Sequence, residues 1–152
     1  MDDFFPAELR IRDPPKVYEV PDVASSSLND NEVDVWLMLH TIRDPEFPNS
    51  ISELRVLTPD GVHVDETVKM ISIAFKPTIE HCSMATLIGL AIRIKLFNYF
   101  GPQWHYRIFV EPGSHLEEQD INKQLADKER VAAASDNPNL MRIISHMIRD
   151  PR

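Results

Sequence analysis

The sequence predicts an α+β fold: a single two-layer domain in which helices pack on a small, largely antiparallel sheet. Two observations support this prediction. Helical and strand-like segments follow one another in the order α-β-β-β-α-β-α-α, which is typical of helices layered on a sheet. The chain has 152 residues, of which 43% are hydrophobic and 26% charged, and this length suits one domain with a sizeable core.

The first 28 residues differ in character from the rest of the chain. Prolines and three consecutive serines interrupt every apolar period in this stretch. We therefore expect a flexible N-terminal tail over residues 1–28 and a folded domain over residues 29–152. Four apolar or aromatic side chains in the tail leave a short docking segment as the alternative: Phe4, Phe5, Val17 and Tyr18.

A helix and two short strands are expected to open the domain. The helix begins at a cap, Asn29 or Asp30, and ends at the Asp44-Pro dipeptide, because proline disfavours helical geometry in the residue before it. The segments ELRVL (53–57) and VHVD (62–65) have the composition of strands. The Thr-Pro-Asp-Gly sequence between them predicts a turn.

The middle of the chain supplies a third strand and a central helix. VKMISIAF (68–75) alternates between apolar and other residues, as a half-buried strand does. SMATLIGLAIRIKLF (83–97) is apolar almost all round, which indicates a helix buried under other elements. Gly89 lowers the helix propensity of this segment, and we expect a close approach of the helix to the sheet there.

The C-terminal third predicts one more strand and two helices. HYRIFV (105–110) is the strand. Ser114 and Glu117 have the spacing of a capping box, which would start the first helix. Asn137 followed by proline predicts the start of the last helix, because proline is favoured at the first helical position.

Composition excludes several classes of protein. A net charge of −8 and a pI near 5.2 argue against nucleic acid as a partner, since phosphate recognition needs clustered lysine and arginine. No apolar run approaches the roughly 20 residues of a membrane helix, and we expect no signal peptide. The single cysteine indicates a reducing compartment, so we expect a cytoplasmic protein that is also allowed in the nucleus.

That single cysteine, Cys82, lies where the third strand gives way to the central helix. A thiol in the first turn of a helix faces unpaired N–H groups and the positive end of the helix dipole, and both favour thiolate. Thr78 and Ser83 can donate hydrogen bonds to it, and a protonated His81 would stabilise it further, whereas Glu80 would oppose it. The alternative is a small, inert, buried thiol.

Other chemistry is weakly indicated. Neither a zinc-binding spacing nor a glycine-rich phosphate loop occurs, so neither a zinc protein nor a nucleotide-dependent enzyme is expected. A cysteine-dependent thiol enzyme remains an alternative, and it would need an imidazole close to Cys82. Six residues form our candidate partner-binding surface, although the four consecutive ones also read as a solvated face: Trp104, His115, Asp127, Lys128, Glu129 and Arg130.

Two long motifs add a resemblance to a known family. PTIEHCSMATLIGLAIRIKL (77–96) and DINKQLADKERVAAA (120–134) closely resemble the cytosolic iron–sulfur assembly component 2 family, also described as the mitotic-spindle-associated complex subunit family. IRDPEFPNSISEL (42–54) and EPGSHLEE (111–118) fit the same pattern. The resemblance covers about residues 31–150.

This resemblance implies a non-enzymatic adaptor of the complex that delivers iron–sulfur clusters to cytosolic and nuclear apoproteins. It implies a β-propeller assembly protein, a HEAT-repeat adaptor and recipient apoproteins as partners. The family's reactive cysteine corresponds to Cys82, its Asp-Pro-Glu motif to Asp44, Pro45 and Glu46, and its Pro-Thr pair to Pro77 and Thr78.

One position departs from the family pattern. Many relatives carry a second cysteine in the last helix, where this chain has Met147 beside His146. A cluster needs several cysteine ligands, so Cys82 alone would have to share it with another molecule. We therefore expect no stably bound cofactor and favour an adaptor. A transient cluster donor, with Cys82 as one shared metal ligand, is the alternative, and a homodimer is left open.

Overall fold

The structure is a computed structural model that describes residues 16–23, 27–77 and 82–149. In this part of the chain, five helices and one three-stranded sheet form an α+β domain, which confirms the predicted fold class. A 3₁₀ turn, Pro59–Gly61, precedes the sheet. In chain order the elements are α1 (Asp30–Leu39), β1 (Val62–Asp65), β2 (Met70–Phe75), α2 (Cys82–Phe100), β3 (His105–Val110), α3 (Glu118–Ala126), α4 (Lys128–Ser135) and α5 (Pro138–Ile148).

Helix α1 begins with a capping box. The side chain of Asn29 accepts a hydrogen bond from the Glu32 backbone N–H at 2.9 Å, and Glu32 accepts one from the Asn29 N–H at 3.1 Å. The second carboxylate oxygen of Glu32 accepts from the Val64 N–H at 3.0 Å, which ties the helix start to β1. The helix ends at Leu39, before the Asp-Pro dipeptide that was expected to end it.

The segment 53–57 forms consecutive turns in place of the expected strand. Its apolar side chains Leu54, Val56 and Leu57 are nevertheless buried. Arg55 has a φ of 57°, a left-handed conformation that interrupts any extended run. The strand-like composition therefore reflects burial of these side chains in the core and not pairing in the sheet.

The sheet is mixed, with the order β1-β2-β3. Strands β1 and β2 are antiparallel, with Val62 opposite Ile73, whereas β2 and β3 are parallel, with Ile73 opposite Ile108. The expectation of a largely antiparallel sheet is thus correct for one pair only. The reason is α2, whose 19 residues return the chain to the end of the sheet where β2 began.

Helix α2 is the central core helix, as predicted. Ile88, Ile92 and Leu96 are fully buried on it. The close approach at Gly89 is made to helix α3 and not to the sheet: a Cβ at this position would lie 2.6 Å from Cδ1 and 2.7 Å from Cδ2 of Leu125. The glycine therefore provides space between two helices.

The capping box expected at Ser114 does not form. The Ser114 hydroxyl donates to the Glu111 carbonyl at 2.6 Å, and α3 begins only at Glu118. Glu117, at the N-cap position, makes no side-chain capping hydrogen bond. The Glu118 carboxylate instead accepts from the Gly113 N–H at 3.0 Å. Ser114 and Glu118 therefore stabilise the turn that precedes α3.

One predicted helix is divided in two at Asp127. The backbone of Asp127 is extended, and its carboxylate accepts from the N–H groups of Glu129 and Arg130 at 3.0 and 3.3 Å. It therefore ends α3 and caps α4. Asn137 caps α5 in the same way, with proline at the first helical position, which confirms the predicted start of the last helix.

Residues 16–23 lie against the domain. The Tyr18 N–H donates to the Glu53 carbonyl at 2.8 Å, and the Arg55 guanidinium lies 3.9 Å from the centre of the Tyr18 ring. Val23 is buried in the core. Residues 1–15 and 24–26, with Phe4 and Phe5, lie outside the described residues, and the flexible tail stays a prediction.

Candidate functional site

Cys82 is the first residue of α2. Its backbone therefore lies at the mouth of the central core helix, as the sequence predicted. The side chains of Cys82 and Ser83 lie outside the description, as do all of Thr78 and His81. The hydrogen bonds and charges expected around the thiol, and any cluster that it would ligate, stay predictions.

Asp44 is a buried carboxyl in an Asx-type turn. The side chain is 5% exposed, and its Oδ1 accepts hydrogen bonds from the N–H groups of Glu46 at 2.8 Å and Phe47 at 3.1 Å. The backbone N–H of Asp44 donates to the Asn49 carbonyl at 2.9 Å, which closes the loop. This arrangement gives the aspartate of the Asp-Pro-Glu motif a structural role.

The second oxygen of that carboxyl differs sharply from the first. Oδ2 of Asp44 is buried and has no hydrogen-bond partner. Burial raises the pKa of Asp44, the N–H groups of Glu46 and Phe47 oppose this effect, and the nearby charge of Glu46 raises the pKa further. The exposed side chain of Glu46 thus acts on Asp44 electrostatically.

A cleft of about 590 Å³ lies between the 43–48 loop and α5. The Arg43 N–H donates to the Met147 carbonyl at 2.9 Å and holds the loop against the end of this helix. Met147, which we expected at the place of the second cysteine of many relatives, is 2% exposed. The cleft is lined by Arg43, Asp44, Pro45, Glu46, Phe47, Pro48, Arg142, Ile143, His146 and Met147.

Asp44 and Glu46 were predicted from the sequence as site residues, but the cleft was not. Nothing in the local sequence shows that α5 lies against the loop. A partial signal was present, since an aspartate followed by proline is a common turn starter whose carboxylate binds backbone N–H groups nearby. That signal indicates that one carboxylate oxygen, Oδ1, accepts backbone N–H groups. It carries no information about the partner of the other oxygen, Oδ2.

The expected partner residues fall into three groups. His115 and Asp127 have local roles: His115 Nδ1 accepts from the Glu117 N–H at 2.9 Å, and Asp127 caps α4. Trp104 packs edge-on against Phe100, with ring centres 5.6 Å apart, and is partly buried. The remaining three are exposed on the first turn of α4 and stay available to a partner: Lys128, Glu129 and Arg130.

A second cavity, of about 610 Å³, lies among α2, β3 and the three C-terminal helices. Arg93 lines it and donates from Nη2 to the carbonyls of Tyr106 at 3.3 Å and Leu125 at 3.2 Å. Burial lowers the pKa of Arg93, and its Nε is buried without a partner. This cavity could not be predicted from the sequence, because its walls come from segments that are distant along the chain.

Among the side chains described in residues 16–23, 27–77 and 84–149, no three histidine or acidic side chains lie together as metal ligands. None of the helices described is both long enough and apolar enough to cross a bilayer.

Comparison with known proteins identifies the family. No family model matches the chain. It is 45% identical over 118 residues to Protein AE7 of Arabidopsis thaliana, which covers 78% of this chain and 75% of that protein. It is 44% identical over 115 residues to the MIP18 family protein galla-2 of Drosophila melanogaster, covering 76% and 74%. The chain belongs to the MIP18 family.

A further relative connects this assignment with the resemblance seen in the motifs. The MIP18-family chain is 40% identical over 130 residues to cytosolic iron-sulfur assembly component 2B of Mus musculus, which covers 86% of this chain and 76% of the mouse protein. The family expected from the sequence motifs is thereby confirmed. The name of the mouse relative describes an assembly component and does not identify the residues that act.

Proposed function

We propose that this MIP18-family chain is a non-enzymatic adaptor subunit in cytosolic iron–sulfur protein assembly, which helps deliver clusters to cytosolic and nuclear apoproteins. The similarity to mouse cytosolic iron-sulfur assembly component 2B over most of both chains carries the proposal. Under this proposal the protein acts in the cytoplasm and also in the nucleus, where some recipients act. The cluster is cargo in this proposal and not a resident cofactor.

The proposal gives Cys82 the role of a reactive thiol. Support comes from its position at the start of a 19-residue helix, where backbone N–H groups lack helical partners and favour a negative charge. His81, Thr78 and Ser83 adjoin it in sequence and would tune its reactivity.

The proposed partners are a β-propeller assembly protein and a HEAT-repeat adaptor. The exposed residues Lys128, Glu129 and Arg130 on α4 offer a charged docking surface for one of them. Trp104, partly buried against Phe100, lies directly before the start of β3. Aromatic and arginine side chains are common anchors of protein interfaces.

A pull-down from cells tests the adaptor role. Tagged wild-type protein is expected to capture a propeller protein and a HEAT-repeat protein, and Cys82→Ala is expected to capture both equally while recipient proteins lose their clusters. Capture of neither partner by the wild type would contradict the adaptor role. Normal cluster content of the recipients with Cys82→Ala would remove the role of the thiol alone.

Alkylation tests the thiol directly. At neutral pH we expect iodoacetamide to modify Cys82 about tenfold faster in the folded chain than in urea, because the helix start stabilises the thiolate. A matched control carries its only cysteine at an exposed site of α4, in the variant Cys82→Ala with Ala133→Cys. Slower alkylation of folded than of unfolded wild type would indicate an inert thiol.

A further inference from the structure

The cavity among α2, β3 and the three C-terminal helices combines apolar walls with positive charge. Its volume, about 610 Å³, lies within the range of small-molecule binding sites. Phe97, on its wall, is 49% exposed, so the cavity offers apolar surface that the described part of the chain leaves uncovered. All five elements contribute apolar side chains to the lining: Ile94, Phe97, Ile108, Leu125, Val131 and Met141.

The charged side chains that line this cavity are basic. Arg93 and Lys128 are among them and no aspartate or glutamate is, although the whole chain has a net charge of −8. Arg107 also borders the cavity, but its guanidinium lies 4.7 Å from the centre of the Phe109 ring. Arg107 and Phe109 alternate with Ile108 along β3 and therefore lie on the other face of the strand, so Arg107 is not part of the site.

Arg93 has one guanidinium nitrogen that is open to a ligand. Nη2 donates to the carbonyls of Tyr106 at 3.3 Å and Leu125 at 3.2 Å, which holds the side chain between β3 and the end of α3. Nε is buried, whereas Nη1 is accessible and has no acceptor among the described residues. Burial lowers the pKa of Arg93, and no described carboxylate opposes this effect. A fixed cation with an unused donor therefore lies in the wall of an apolar cavity.

We propose that this cavity binds an aliphatic carboxylate, the chemistry of a free fatty acid, with the carboxylate accepting from Nη1 of Arg93 and the hydrocarbon chain packed against Phe97 and Met141. Lys128 begins α4 three residues after Leu125, whose carbonyl holds Arg93, so it adds positive charge at the same end of the cavity. A hydrocarbon chain carries no amide groups, so it suits these mainly apolar walls better than a peptide segment does. The site does not depend on Cys82 or on cluster delivery.

Three probes with the same eight-carbon chain test the proposal on the full-length protein: octanoate, octan-1-ol and octylammonium. The readout is the ¹H–¹³C signal of the Met141 methyl group at neutral pH, below the concentration at which the probes aggregate. We expect a saturable shift with octanoate and binding about tenfold tighter than with octanol, because a charge-assisted hydrogen bond is added. Octylammonium, which has the same sign of charge as Arg93, is expected to bind more weakly than octanol. A peptide of matching charge, N-acetyl-Leu-Glu-Leu amide, is expected to bind more weakly than octanoate.

A pair of neighbouring alanines locates the binding site. Ala132 and Ala133 are both exposed on α4, but of the two only Ala132 lines the cavity. Ala132→Phe places a ring in the space that the hydrocarbon chain would occupy, and it is expected to weaken octanoate binding several-fold. Ala133→Phe adds the same ring outside the cavity and is expected to retain the wild-type affinity.

Charge variants test the contact with the carboxylate. Arg93→Met keeps an unbranched stem without the guanidinium and is expected to abolish the preference for octanoate over octanol. Lys128→Gln is expected to weaken octanoate about twofold, as for an exposed charge, whereas Lys123→Gln, at an exposed site of α3 outside the cavity, is expected to change nothing. If Arg93→Met does not fold, the three probes and the alanine pair still decide. Absence of a saturable shift, equal binding of octanoate and octanol, tighter binding of the peptide, or unchanged octanoate affinity in Ala132→Phe would overturn the proposal.

Discussion

At the scale of a single residue, Asp44 shows how one carboxyl can stabilise a loop and also destabilise the fold. Oδ1 receives two backbone N–H groups, which favours the ionised form, while burial and Glu46 favour the protonated form. The net effect raises the pKa of Asp44 above its ordinary value of 3.8. The folded state therefore holds a proton at this site more tightly than the unfolded state does.

This difference predicts the sign of a pH dependence. Above pH 3.8, and up to the raised pKa of folded Asp44, the folded state binds more protons at this site, so the contribution of Asp44 to the free energy of unfolding falls as pH rises. The contribution of His40 to the free energy of unfolding rises with pH instead, since burial and the charge of Lys95 lower its pKa below 6.5.

Urea unfolding of variants from pH 4 to 7 separates the contribution of Asp44 to the free energy of unfolding from that of His40. Relative to wild type, Asp44→Asn is expected to gain stability progressively as pH rises, because it removes the falling contribution. Asp34→Asn, which removes an exposed carboxylate of α1, controls for the change in net charge. A free energy of unfolding of Asp44→Asn that falls relative to that of wild type as pH rises would contradict the assignment.

At the scale of the elements, the contact between α2 and α3 depends on Gly89. Alanine would raise helix propensity by up to about 1 kcal/mol, but its Cβ would overlap Leu125, which is fully buried. Overpacking of this kind costs about 1–3 kcal/mol, so Gly89→Ala is expected to destabilise the wild-type fold. In a Leu125→Ala background the overlap disappears, and the same change is expected to stabilise.

Urea unfolding of the four proteins in this cycle gives the coupling energy between the two positions. We expect at least about 1 kcal/mol, as for residues in direct contact. Additive effects would mean that Leu125 moves aside without cost.

A hydrogen bond joins the Asn122 side chain on α3 to the backbone of β3. The Val110 N–H, on a fully buried residue, donates to Oδ1 of Asn122 at 2.7 Å. Asn122→Leu leaves this donor unsatisfied and is expected to lower the free energy of unfolding by about 1–3 kcal/mol. Asn122→Asp keeps an acceptor, so its free energy of unfolding is expected to fall by less. Equal losses in the two variants, measured in urea, would show that the hydrogen bond does not hold the helix.

The elements also show what the sequence could predict. Local sequence signals were sufficient to predict an element where its deciding interactions span only a few residues, as at the caps Asn29 and Asn137 and in the strand 105–110. They failed where tertiary contacts decide: the residues 53–57 are apolar because the turns they form are buried, and Asp127 divides a helix by capping the next one.

The candidate site shows the same difference between local signals and tertiary contacts. The sequence identified Cys82 at a helix start and Asp44 in the family motif, because both belong to contiguous motifs. It could not identify the cleft, since Met147 and Ile143 reach Asp44 only through the packing of α5 against the loop. Sequence spacing carries no information about an unsatisfied oxygen atom.

At the scale of the whole molecule, one apolar core joins the helices and the sheet. Its buried members include Trp36 on α1, Ile73 on β2, Ile108 on β3 and Ile144 on α5. Since each element covers part of the same core, the loss of any one would expose apolar surface on the others. Such a domain is expected to unfold in a single cooperative step.

The two tryptophans provide independent tests of this cooperativity. Trp36 is 1% exposed within α1, and Trp104 is partly buried near the start of β3. Trp104→Phe leaves Trp36 as the only tryptophan, and Trp36→Phe leaves Trp104. In each variant we expect the urea midpoint from tryptophan fluorescence to equal the midpoint from far-ultraviolet circular dichroism, although Trp36→Phe lowers both because it shrinks a buried side chain. A fluorescence midpoint of Trp104 well below the circular dichroism midpoint would show that the β3 region opens before the core, and the chain would then consist of two units of different stability.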